Sequence, residues 1–133
     1  MPKENDLSVP ESIAHDDLPL GDLGHAAGRL EAKAVFPPSS IWFQGHFPAV
    51  HILPGVALMA LAVEPLLIDS HRRGRPLKIL GYSRVRIKML SFPGDELHIT
   101  IEDMPPIQEA ELGFEVTCRG ERVCQGRVLM ADQ

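Results

Sequence analysis

Cysteine is scarce: Cys118 and Cys124 are the only two in 133 residues. Two thiols fall short of the four ligands that a structural zinc site ordinarily takes. A two-residue turn at Arg119-Gly120 places Cys118 opposite Glu121 and Cys124 opposite Glu115. The sulfurs then stand ~10 Å apart along the strands, beyond disulfide reach. Aromatic residues make up 5% of the chain and the net charge is −5. Without a basic surface interleaved with aromatic rings, nucleic acid is not an expected partner. Long hydrophobic runs are also missing. The most apolar stretch, Val56 to Ile68, is interrupted by Glu64 and Pro65, whereas a membrane span needs ~20 apolar residues. No basic region precedes an apolar core near the N-terminus, so no secretory signal is read and the cytoplasm is the expected location.

One further absence is local. Between Ser70 and Gly94 there is no acidic residue, while Arg72, Arg73, Arg75, Lys78, Arg84, Arg86 and Lys88 all fall there. Residues 1–25 have the opposite balance, with six acids against one base. The basic segment reads either as a landing surface for an anionic partner or as a solvated face and loop. The length and the 44% hydrophobic content fit one globular domain. Residues 1–25 are expected to form a flexible acidic arm and residues 26–133 the domain itself.

Along the chain, Leu30, Ala32 and Ala34 alternate with Arg29, Glu31 and Lys33. That period of two predicts a strand with one wet face, ended by Pro37 and Pro38. A helix is expected from Gly55, because Pro54 suits a helix start, and its apolar sequence predicts burial on nearly all sides. Pro65 predicts a kink or a break into two short helices. Leu77 to Tyr82 and Val85 to Leu90 read as strands, as does Glu96 to Glu102. A hairpin follows over Glu111 to Met130. Strand, buried helix, then about four antiparallel strands predicts an α+β architecture with a sheet wrapped around one central helix.

The chemistry concentrates in Gln44-Gly45-His46-Phe47-Pro48 and Pro54-Gly55-Val56. Gly45 and Pro48 hold His46 in a tight turn just before the helix. These two motifs, followed by Val85-Arg86-Ile87-Lys88 and Phe92-Pro93-Gly94-Asp95, resemble the signatures of the beta-hydroxyacyl-carrier-protein dehydratases, a hotdog-fold family. The resemblance covers about residues 28–131. It implies a homodimer, alone or as a trimer of dimers, with two sheets joined edge to edge and acyl tunnels between the central helices. It implies substrates carried as thioesters on the phosphopantetheine of acyl carrier protein or on coenzyme A. Both carriers are anionic and suit the seven cations named above as a carrier-binding surface. Neither a metal nor a redox cofactor is expected.

By the same resemblance, His46 takes the C2 proton of a 3-hydroxyacyl chain. Phe47, Pro54, Gly55 and Val56 border the substrate, and the backbone N–H groups of Gly55 and Val56 polarise the thioester carbonyl. The family's acidic residue, which protonates the departing hydroxyl from the facing subunit's helix, would stand five positions after Gly55, where this chain has Ala60. Residue 64 lies on the same helix face, ~6 Å further along the axis, and helical side chains lean toward the N-terminus. Glu64 is therefore the candidate substitute acid, bending over the space left at Ala60; the alternative reading is a polar residue of the kind the family often has there in addition to its acid. His51, near the mouth, is a further candidate acid or base. Three functions remain open: a dehydratase-like hydro-lyase of fatty-acid or related acyl-chain synthesis, an acyl thioesterase of the same fold, and a non-catalytic acyl-carrier-binding subunit. His15, His25, His71 and His98 read as ordinary surface residues.

Overall fold

The computed structural model describes residues 18–43 and 52–133. Two strands, β1 (Leu20–Ala26) and β2 (Arg29–Val35), lead to a short helical turn, Ile41–Phe43. A single helix α1 (Gly55–Arg72) follows, then β3 (Leu77–Ile87), β4 (Glu96–Glu102), β5 (Glu109–Cys118) and β6 (Glu121–Asp132). The strands form one antiparallel sheet in the order β1-β2-β4-β5-β6-β3. Leu30, Ala34, Leu97, Ile99, Ile101, Val116 and Met130 share its inner face. They close over Ala57, Leu58, Leu61, Ala62 and Leu66 of α1. The period-two alternation thus becomes a sheet with one dry face wrapped around one helix.

Four sequence expectations change. Leu20–Ala26, expected mostly within a flexible acidic arm, forms an edge strand, and Leu18 is buried. Gly21, Asp22 and Gly24 disguise that strand: the register shifts between Gly21 and Gly24, and Asp22 has φ 53°. The helix runs through Pro65 without dividing. A helical proline costs ~3 kcal/mol, but here Leu61, Val63 and Leu66 around it are each at most 1% exposed, and their packing holds the segment helical. The two strands expected on either side of Ser83 are one strand, β3, with a bulge between Ser83 and Arg86 and with Arg84 at φ 54°. Finally, Cys124 pairs with Val116 rather than Glu115, because the register shifts between Val116 and Thr117. The Arg119-Gly120 turn itself is as expected, with φ 53° and 80° and Cys118 opposite Glu121. Both thiols are free and buried.

Candidate active site

Helix α1 begins without a side-chain cap. Pro54 occupies the cap position with φ −70° and ψ 155°, and its carbonyl accepts from the N–H groups of Ala57 at 3.0 Å and Leu58 at 3.3 Å. The N–H groups of Gly55 and Val56 find no acceptor among the described residues. Two free donors at the positive end of an 18-residue helix form a ready place for a carbonyl oxygen or an anion. The approach is fixed from the other side as well. Leu53 N–H donates to the Ser91 carbonyl at 2.9 Å, and Lys88 N–H donates to the Val123 carbonyl at 2.8 Å.

Gly55 lets the end of β3 approach the helix start closely. A Cβ built on it would lie 2.7 Å from Cδ1 of Ile87, closer than real Cβ contacts. Ile87 is 47% exposed, and Val56 and Leu90 are 66% and 59% exposed. The helix start is therefore bordered by apolar side chains open to solvent, in contrast to the burial expected all round. Further along, Ala60 is half-buried and Glu64 is 5% exposed. A carboxylate so far from water is uncommon in a helix packed by leucines. His46, Phe47 and His51 lie outside the described residues.

The seven cations of the basic segment separate into two groups. Arg73 meets Asp69 at 2.8 Å and Asp103 at 3.1 Å. Arg75 meets Asp132 at 2.8 Å and donates to the carbonyls of Pro105 and Ile107 at 2.9 and 2.6 Å. These two arginines knit loops to strand and helix ends. Arg72, Lys78, Arg84, Arg86 and Lys88 are exposed and form no ion pair among the described residues. His25, read as an ordinary surface residue, is half exposed yet contacts Asp69 at 3.0 Å, linking β1 to the C-terminal turn of α1.

Elsewhere, a groove of about 400 Å³ crosses the outer face of the sheet, bordered by Arg29, Arg84, Glu102, Gly113, Gln125 and Arg127. It is a wet, ion-paired surface: Arg127 meets Glu111 at 2.9 Å and Arg29 meets Glu31 at 3.4 Å. The hydrogen bond from Arg127, with one from Ser83, holds the Glu111 carboxyl below its ordinary range. Burial pushes the Tyr82 hydroxyl up to about 12 and the Cys124 thiol up to about 11. No group of three or more metal-ligating side chains gathers among the described residues. No helix there is long and apolar enough to cross a membrane.

Sequence reasoning located the helix start and missed Ile87. Ile87 falls in the Val85-Arg86-Ile87-Lys88 motif, but nothing in that motif singles it out, and its contact with Gly55 arises from tertiary packing. Comparison with known proteins agrees with the fold. The chain is 34% identical over 95 residues to the 3-hydroxyacyl-(acyl-carrier-protein) dehydratase FabZ of Bacillus subtilis, covering 68% of this chain and 67% of that protein. It is 37% identical over 95 residues to the FabZ of Bacillus licheniformis, covering 68% and 66%. Among solved structures, the dehydratase heterocomplex ApeI:P from Xenorhabdus doucetiae superposes with a TM-score of 0.67 at 19% identity, covering 84% of this chain and 96% of that one. A hypothetical thioesterase from Streptococcus pneumoniae, solved with coenzyme A, gives 0.65 at 16% identity over 84% and 87%. The model of the ApeI-like family, described as ApeI dehydratase, matches residues 24–127. On that match, and on a six-stranded sheet wrapped around one helix, the chain belongs to the ApeI-like dehydratase family of hotdog-fold proteins.

Proposed function

We propose that this chain dehydrates 3-hydroxyacyl thioesters in fatty-acid or related acyl-chain synthesis, with Glu64 replacing an acid that position 60 lacks. The supporting observation is the burial of Glu64 at 5% exposure, one helical turn beyond the half-buried Ala60. In this reading the thioester carbonyl accepts from the free N–H groups of Gly55 and Val56, which stabilise the enolate-like charge as it develops. His46 removes a proton from C2. The C3–O bond breaks as Glu64 of the partner subunit protonates the departing hydroxyl, so a 2-enoyl thioester and water are the products. Both proton transfers matter, because the C2 proton is weakly acidic and hydroxide is a poor leaving group. Phe47, Pro54 and His51 border the substrate, and the chemistry calls for neither metal nor redox cofactor.

The substrate arrives on an anionic carrier, acyl carrier protein or coenzyme A. Of the seven cations, Arg72, Lys78, Arg84, Arg86 and Lys88 carry that contact, since Arg73 and Arg75 are occupied within the fold. Two copies join edge to edge through β3, which leaves Ile79 and Leu80 37% and 47% exposed. Incubation with 3-hydroxyacyl thioesters on both carriers tests the reaction. It predicts a 2-enoyl product, and absence of that product from both substrates contradicts it.

The half-buried alanine at position 60 supports a second reading, in which Glu64 activates water and the chain hydrolyses acyl thioesters. Thiol release without enoyl formation distinguishes it. Binding with neither product would instead assign the chain as a carrier-binding subunit.

A further inference from the structure

We infer that Ile87 is a specificity-determining residue that excludes acyl thioesters branched at C2. The inference rests on the docking of the thioester carbonyl at the start of α1. A carbonyl oxygen accepting from Gly55 or Val56 lies ~2.9 Å from the nitrogen, and C2 is bonded directly to that carbonyl carbon. Substituents on C2 therefore crowd the surface immediately around Gly55.

On one side that surface is Ile87. Its Cδ1 lies 2.7 Å from where a Gly55 Cβ would begin, so the absence of a side chain at position 55 is filled by the tip of residue 87. The wall is firmly held. Ile87 pairs with Cys124 at the end of β3, the next N–H is bonded to Val123 at 2.8 Å, and a β-branched side chain has little χ1 freedom. Opposite it, the hydrogen bond from Leu53 to Ser91 at 2.9 Å fixes the segment entering the helix. The backbone on neither side shifts without breaking one of these hydrogen bonds. Ile87 is also 47% exposed, so it serves the core less than the fully buried aliphatics do and tolerates shortening. A straight chain leaves C2 with two hydrogens and passes the wall, whereas a methyl on C2 meets Cδ1.

Butanoyl-CoA and 2-methylpropanoyl-CoA make the test direct, because they are isomers differing only in the branch. Their affinities are measured by calorimetry for the intact protein and for Ile87→Val, Ile87→Ala and Ile87→Leu, and repeated with the same acyl groups on acyl carrier protein. A methyl-sized steric difference in an apolar site is worth about tenfold or more. The wild-type protein is expected to favour the straight isomer by at least that factor. Ile87→Val and Ile87→Ala should bring the ratio close to one by improving the branched ligand, and Ile87→Leu, which keeps a δ carbon, should stay within about twofold of wild type. Equal loss of both ligands in Ile87→Val and Ile87→Ala, or a wild-type protein without preference, overturns the role of Ile87 and leaves the docking reading standing. Failure of the wild-type protein to bind either acyl group on either carrier overturns both.

Discussion

The two edges of the sheet are built differently. Strand β1 is seven residues long, bulged between Gly21 and Gly24, with Asp22 in the left-handed region. Lys33 approaches Asp22 at 3.9 Å and Asp69 holds His25 at 3.0 Å. Short length, a bulge and charge are the usual devices that keep an edge from pairing with another chain. Strand β3 is eleven residues long. It also has register shifts, between Ile79 and Gly81 and between Ser83 and Arg86, and three cations, Lys78, Arg84 and Arg86. Yet Ile79, Leu80 and Ile87 remain 37%, 47% and 47% exposed, and its far end rests on the start of the helix. One edge carries the devices that discourage pairing, and the other combines apolar surface, exposed cations and the candidate site.

The strongest way to break this contrast is to charge the open edge. Ile79→Lys with Leu80→Lys is expected to turn a dimer into a monomer in sedimentation, with loss of turnover, while Asp22→Lys on β1 leaves the mass unchanged. A double variant of wild-type mass would show that β3 is not the joining edge. A smaller effect separates the glycines. A Cβ on Gly126 would lie 2.8 Å from the Phe114 ring and 3.1 Å from the Val85 Cα, whereas one on Gly24 meets nothing within 4 Å. Gly126→Ala should therefore cost about 1–3 kcal/mol by overpacking. Gly24→Ala should gain about 0.5–1 kcal/mol from reduced backbone entropy. Chemical denaturation of both variants reads the difference, and equal midpoints would refute it. Smallest is the pair of edge tethers. Arg75→Ala removes one ion pair and two hydrogen bonds to carbonyls at the head of β3, and should cost about 1–2 kcal/mol after allowance for solvent screening. His25→Ala, which loses one half-exposed contact on β1, should cost under about 1 kcal/mol, so its denaturation midpoint should move less.

Much of this fold was legible because its signals are periodic. Alternation in Arg29–Val35 and Glu96–Glu102 located two strands, Arg119-Gly120 located a hairpin, and Pro54-Gly55 located the helix start. The failures among the strands share a cause. A bulge costs a strand its period at one residue, which divided β3 at Ser83-Arg84, hid β1 behind Gly21-Asp22 and shifted Cys124 by one partner. Pro65 misled because local cost was outweighed by the packing of its buried neighbours. For the site, Gly55 and position 60 could be named only through the family resemblance, helical geometry adding that residue 64 shares a face with residue 60. Ile87 could not, because its contact spans 32 positions in the chain. Nor could charge counting tell Arg73 and Arg75, occupied by Asp69, Asp103 and Asp132, from their exposed neighbours.

The central claim is that the proton donor has moved from position 60 to Glu64. Enoyl formation from a 3-hydroxyacyl thioester, compared among the wild-type protein, His46→Ala and Glu64→Gln, tests it most directly. General acid or base groups contribute about 10²–10⁴-fold, and both variants are expected to lose turnover by factors in that range while remaining folded. A Glu64→Gln protein that dehydrates at the wild-type rate would contradict the account.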